Sequence, residues 1–214
     1  MSAISNGLAP AASARVAYGT NRQVSTNKQA ARRIPFKYQA GTGSSCKARK
    51  REAGLKVYFV RHGIAAGREE FSGNDAQRPL TAEGKEKMAR QARALRHLDL
   101  KLDAIVTSPL LRAKQTAEIL ARELGLRERL FEDKRAGTEF DSAQLAAILQ
   151  QYSDKDSIAI VGHEPSMSQT IGRAIGGGNV EMKKGAVACV EMQHPLDTAA
   201  TLLWLAPPRV LSSH

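Results

Sequence analysis

Cysteine is scarce in this chain, and its two thiols, Cys46 and Cys189, lie far apart. That excludes a disulfide framework and a Cys/His zinc pattern, and it fits a reducing compartment. Cys189 sits in an apolar run and reads as a small core residue. Long apolar runs are missing too. No stretch approaches the ~18 uninterrupted apolar residues that a membrane helix needs. The N-terminus has no apolar h-region, so a secretory signal is not expected. Acids are nearly absent from residues 1–54, where Glu52 stands alone against ten Lys/Arg. No Asp/Glu/His cluster has metal-ligand spacing, so neither a metal nor another cofactor is expected. There is no internal repeat.

What remains fits a globular protein. The 214 residues allow one domain or two small ones, and 42% hydrophobic with 25% charged residues is ordinary for a soluble chain. The net charge of +11 is unevenly placed. Residues 1–54 carry +9, while 55–214 hold 22 Lys/Arg against 20 acids, or +2. The basicity belongs to the leader, so no nucleic-acid surface is expected on the folded body. Rich in Ala, Ser, Gly, Asn and Arg, the leader cannot bury enough apolar surface to offset chain entropy, and it is expected to be disordered. Three origins fit it: an organelle transit peptide, a basic tail for anionic surfaces, or upstream sequence from a start codon placed too early. The expected location is the cytoplasm, or a plastid or mitochondrion if the leader is a transit peptide. A folded domain is expected over 55–208, with 209–214 as a tail. No exposed apolar stripe demands a partner, so a monomer is expected, with no membrane contact.

The chain turns on Lys56-Val57-Tyr58-Phe59-Val60-Arg61-His62-Gly63. A short run of β-branched and aromatic residues reads as a buried strand over about 56–61. It ends in a guanidinium fork, an imidazole and a glycine that lets the backbone turn and approach a ligand. A polar loop from Ile64 to Pro79 follows. Thr81 is the expected N-cap of a helix with Met88, Ala92, Leu95 and Leu98 inward.

A second strand, 103–107, leads to Ser108-Pro109, an expected N-cap with proline at the first helical position. That helix should stop at Gly125 and carries Arg112 in its first turn, where a cation is unusual. The reading that explains it is an anionic ligand facing both Arg112 and the helix start. A loop from Phe131 to Phe140 precedes a helix with Leu145, Ile148, Leu149 and Tyr152 inward. A third strand, 157–161, ends in Gly162-His163-Glu164-Pro165. The next helix buries Met167, Ile171 and Ile175 and ends at Gly176-Gly177-Gly178. That triple glycine neither follows a strand nor opens a helix, so it is not a phosphate loop. Strands at 186–192 and 201–205 close the chain, and a tail is expected from Pro207.

Strand–helix alternation implies an α/β fold with a mainly parallel sheet and helices on both faces. The carboxyl ends of the parallel strands then share one edge. Three of them supply Arg61-His62, the Ser108…Arg112 turn and His163-Glu164. The other histidines, His97, His194 and His214, are left in structural or solvent roles. Two arginines suit a phosphoryl dianion. A neutral histidine beside them can attack phosphorus in line and hold the group covalently. The arginine pair and the second histidine stabilise the equatorial oxygens, and a carboxyl protonates the leaving group and then activates water.

The motifs "VYFVRHG", "TSPLLRAKQTAEIL" and "VGHEPSM", with "KKGAVACVEM" and "LLWLAPP" further on, resemble the histidine phosphatase superfamily and its SixA-type phosphohistidine phosphatase branch. The resemblance spans roughly 56–208. It implies a three-layer α/β/α sandwich of the phosphoglycerate-mutase-like kind. It implies His62 as the phosphorylated nucleophile, Arg61 and Arg112 as phosphate ligands, and His163 completing the pocket. For the proton donor it offers Glu164, or Glu139 or Asp141 from the later loop. The implied substrate is a phosphorylated protein such as a His-containing phosphotransfer domain, or a small phosphorylated metabolite. A phosphoglycerate-mutase-like transferase and a non-catalytic phosphate-binding module are the alternatives.

Overall fold

A computed structural model describes residues 54–98, 100–193 and 200–211. The leader reading, Cys46, His194 and His214 lie outside the described residues.

Strand β1, Leu55–Arg61, forms the middle of a six-stranded sheet because its side chains are apolar on both faces. Val57 and Phe59 enter one core, and Tyr58 and Val60 enter the other. Helix α1, Ala82–His97, follows, with the Thr81 hydroxyl accepting from the Gly84 N–H at 2.9 Å as its cap. Strand β2, Ala104–Thr107, leads into helix α2, Leu111–Leu124, which ends on left-handed Gly125. Strand β3, Leu130–Glu132, helix α3, Ser142–Gln151, strand β4, Ser157–Gly162, and helix α4, Ser166–Ala174, come next. Strands β5, Val187–Met192, and β6, Thr201–Ala206, precede a single helical turn α5, Pro208–Leu211.

The sheet order is β3-β2-β4-β1-β5-β6. The β3-β2, β2-β4 and β4-β1 pairs are parallel, and the β1-β5 and β5-β6 pairs are antiparallel. Helices α3 and α4 pack against one face and α1 and α2 against the other, giving the three-layer α/β/α sandwich. Register sets the working edge. Arg61 pairs with Gly162, and Thr107 pairs with Val161, so β1, β2 and β4 end level with one another.

Four expectations are corrected. Helix α2 begins at Leu111, because Leu110 takes an extended conformation (ψ 131°) and the turn at Pro109 is not yet helical. Leu98 is 67% exposed, since it sits past the last turn of α1, where the inward face has run out. The loop from Phe131 contains the end of β3, an edge strand of three residues that carries no apolar alternation. The stretch from Pro207 is not a loose tail as far as Leu211, which is only 7% exposed and packs on the α1 side of the sheet.

Candidate active site

Each catalytic candidate is positioned by backbone that the sheet cannot easily move. The His62 N–H donates to Gly162 O at 3.1 Å, and His62 O accepts from Gly185 N at 3.1 Å. The neighbouring strand ends thus hold the histidine from both sides. Its side chain is fixed as well. The ring Nδ1 lies 2.8 Å from Gly63 O, and a carbonyl can only accept, so Nδ1 carries the proton and Nε2 keeps its lone pair. The glycine at 63 is needed for packing, since an added Cβ would meet Met88 Cγ at 2.7 Å. The positive-φ glycines among the described residues are Gly125, Gly176–Gly178 and Gly185, so Gly63 does not use the left-handed conformation open to glycine.

Thr116 ties the second helix to this loop. Its hydroxyl accepts from the Gly63 N–H at 3.0 Å and donates to Arg112 O at 2.7 Å. One side chain therefore spaces the His62 loop from the Arg112 turn.

Both expected arginines reach the site with one end tethered. Arg61 Nη1 donates to Met182 O at 2.6 Å, and Arg112 Nη1 donates to Asp75 O at 2.9 Å. In each, Nε is buried with no hydrogen-bond partner among the described residues. A buried N–H without an acceptor is costly, and a guanidinium presents Nε and Nη2 as a fork that fits two oxygens of one anion. Burial lowers the pKa of both arginines, and neither loses its charge near neutrality.

Asp75 was not foreseen. It lies on the short 3-10 turn Asp75–Gln77 in the β1–α1 loop. Its carboxylate pairs with Arg112 Nη2 at 3.1 Å and accepts from Arg78 Nε at 3.0 Å. Arg78 in turn donates to Ala66 O at 2.8 Å. Burial works against the Asp75 carboxylate, but the Arg78 hydrogen bond and the Arg112, Arg78 and Arg68 charges outweigh it and hold the pKa below its ordinary value. Asp75 thus fixes Arg112 along its Nη1–Nη2 edge and leaves the Nε side of the guanidinium unpaired among the described residues.

His163 faces His62 with ring centroids 5.3 Å apart. Its Nε2 shares a 2.8 Å hydrogen bond with Ser108 Oγ. Ser108, expected as the helix cap, lies two residues before the actual cap Leu110; its hydroxyl accepts from the Leu110 N–H at 3.3 Å and holds the His163 ring. The His163 Nδ1 is buried without a partner among the described residues. Burial lowers His62 to about 4. Its Gly63 hydrogen bond opposes the shift, and the Arg112, Arg61 and Arg78 charges reinforce it. Burial, His62 and Arg112 lower His163 to about 3. Both imidazoles are neutral at pH 7, one with a free lone pair.

A cavity of about 340 Å³ brings these groups together, lined by Arg61, His62, Asp75, Arg78, Arg112, His163 and Glu164 among others. All five expected site residues meet there. Glu164 lines the pocket and also accepts from the Ser168 N–H at 3.2 Å, so it serves the first turn of α4 as well. The other donor candidates do not reach the pocket. Asp141 caps α3, accepting from Ala143 N and Gln144 N, and Glu139 is exposed outside the lining, where Thr138 stands instead. His97 is exposed on α1.

Comparison with known proteins places this geometry. The histidine phosphatase superfamily (branch 1) profile matches residues 57–135. An uncharacterized protein of Picosynechococcus sp. is 34% identical over 167 residues, covering 72% of this chain and 100% of the relative. Among solved structures, the protein histidine phosphatase SixA complexed with tungstate superposes with a TM-score of 0.65 at 25% identity, over 72% of this chain and 97% of that one. An alpha-ribazole phosphatase from Shigella flexneri (TM-score 0.59, 20% identity, 72% and 97% coverage) shares the fold. So does a phosphoglycerate mutase from Bacillus anthracis (0.60, 13%, 75% and 96%). The chain belongs to the histidine phosphatase superfamily.

Proposed function

We propose that the protein is a phosphatase that removes the phosphoryl group from phosphohistidine in a protein, through a covalent phosphohistidine on its own His62. One observation carries the reading: His62 is a neutral imidazole whose Nδ1–H is pinned to Gly63 O, which leaves Nε2 as the only nucleophilic nitrogen of the ring.

The substrate phosphoryl oxygens take the Nε–Nη2 forks of Arg61 and Arg112, and His163 Nδ1 supplies a further contact. His62 Nε2 attacks phosphorus opposite the leaving nitrogen. The new Nε2–P bond forms as the substrate P–N bond breaks, and the released imidazole carries the bonding pair and one proton. Positive charge that develops on the His62 ring is shared through Nδ1–H with Gly63 O. Glu164 is the proton donor to the leaving group. As a carboxylate it then draws a proton from the water that attacks the phosphoenzyme, and inorganic phosphate leaves. A phosphoramidate departs readily once protonated, so a modest acid at the pocket rim suffices. The chain works as a monomer without metal or cofactor in this reading.

The phosphoprotein substrate rests on two supports. One is the likeness to SixA at 25% identity. The other is that the two segments bordering the pocket hold only single 3-10 turns, Asp75–Gln77 and Lys134–Ala136, and no longer helix that would cover it. The test is to compare kcat/KM for a phosphorylated His-containing phosphotransfer domain with that for a panel of small phosphate esters. Preference for the phosphoprotein is expected. Preference for one small ester moves the substrate to a metabolite. Phosphate binding without any turnover overturns the enzymatic reading.

A further inference from the structure

The folded body is nearly neutral, with 22 Lys/Arg against 20 acids over residues 55–214, yet its charges are segregated. Nine of the 22 cations line two adjoining cavities, and three of the 20 acids do. The first cavity is the catalytic pocket. The second, about 740 Å³, shares Arg61 and Lys184 with it as common walls. It continues along α1 to the turn at Pro207 and Pro208.

This groove is larger than a phosphoryl group requires and is lined differently. Ile64, Met88, Pro207 and Pro208 give it an apolar wall, while Lys87, Arg90, Lys183, Lys184 and Arg209 stand along it. Three of these cations are offset by exposed partners: Lys87 by Glu83, Arg90 by Glu86 and Lys183 by Glu181. Exposed pairs of that kind hold little energy and exchange easily for another anion. Lys184 and Arg209 have no acidic partner among the described residues. A free small anion would gain nothing from the apolar wall. An extended peptide carrying carboxylates and an apolar side chain would use both features, and its path would begin at Arg61, beside the phosphoryl site.

Building on the phosphatase reading above, we propose that this groove docks an acidic stretch of polypeptide flanking the phosphorylated residue of the substrate protein. Substrate choice is then made partly by charge outside the catalytic pocket. Association through such a rim is steered electrostatically and weakens with salt.

The test uses the full chain and histidine peptides phosphorylated with phosphoramidate, flanked by either Asp/Glu or Lys residues. p-Nitrophenyl phosphate serves as a substrate too small to reach the groove. Wild type should favour the acidic peptide by about tenfold or more in kcat/KM at low salt, with the preference shrinking as salt rises. The exposed pair Arg90→Glu/Arg209→Glu should abolish that preference through KM and leave p-nitrophenyl phosphate turnover and the melting temperature unchanged. Equal rates on both peptides with p-nitrophenyl phosphate turnover intact would overturn the groove alone. No turnover of any substrate by wild type would overturn the phosphatase reading and the groove with it.

Discussion

The sheet has two parts that differ in what they carry. Strands β1, β2 and β4 run parallel, end level, and deliver Arg61, His62, Ser108 and His163 to one edge. Strand β5 runs the other way and reaches that edge with its entry rather than its exit, and β6 pairs antiparallel to β5. The segment leading into β5 supplies main-chain groups instead: Met182 O to Arg61, and Gly185 N to His62 O. Strand direction thus divides labour. The parallel part presents side chains in the crevice beyond its carboxyl ends, and the antiparallel part buttresses them. Substitutions in the first part should cost catalysis, and substitutions in the second should cost stability.

His62→Ala breaks the comparison most severely. Loss of the nucleophile should reduce turnover at least about a thousandfold, with an unchanged thermal melt. Substantial retained activity in the folded variant would remove His62 from the chemistry.

Asp75→Asn should cost about tenfold in kcat/KM for the same substrate, because Arg112 loses the charge that orients it and small misplacements of a phosphate ligand are expensive. Tighter inhibition by inorganic phosphate with faster turnover would instead mark Asp75 as a competitor for Arg112.

The pH dependence sharpens the same point. In the proposed reaction His62 attacks as the neutral imidazole, so kcat/KM should rise with pH through about 4 and lose its dependence on this group above that. The stability consequence has the same sign. Both site histidines have folded values below the unfolded 6.5, so the unfolded chain binds more protons between those values. Stability on their account is complete above about 6.5 and declines as pH falls toward 4. Denaturant melts across that range check it.

The smallest effect on catalysis should come from the antiparallel edge. Trp204 on β6 lies 5.9 Å from Tyr58, ring centroid to centroid, and is only partly buried. Trp204→Ala should lower stability by about 2 kcal/mol, less than a fully buried aromatic would, and leave kcat unchanged. A large loss of kcat in this variant would contradict the division of labour.

Those contrasts also explain what could be read from the chain. The strand ends were legible because a buried β run that stops at Arg61-His62-Gly63 or Gly162-His163-Glu164 leaves polar groups only one place to go. Arg112 was legible as a cation where a helix start disfavours one. Asp75 was not, because its role depends on a loop folding back so that a 3-10 turn meets α2, which no local period encodes. Ser108 was misread for a related reason. Ser-Pro satisfies the capping rule, yet Leu110 stays extended, the helix starts later, and the hydroxyl meets the Leu110 N–H and His163 rather than an N–H of the helix. Thr116 could have been found as the residue one helical turn beyond Arg112, on the same face. Strand β3 and the turn at Leu211 are too short to leave a pattern.

The most direct test of the account is a mass spectrum of the full chain, quenched in alkali during turnover of a phosphohistidine-containing phosphotransfer domain. The account predicts one phosphoryl group on His62 and matching loss from the partner, with accumulation when Glu164→Gln slows hydrolysis of the intermediate. Turnover without any phosphoryl group on His62, in wild type and in that variant, would contradict it.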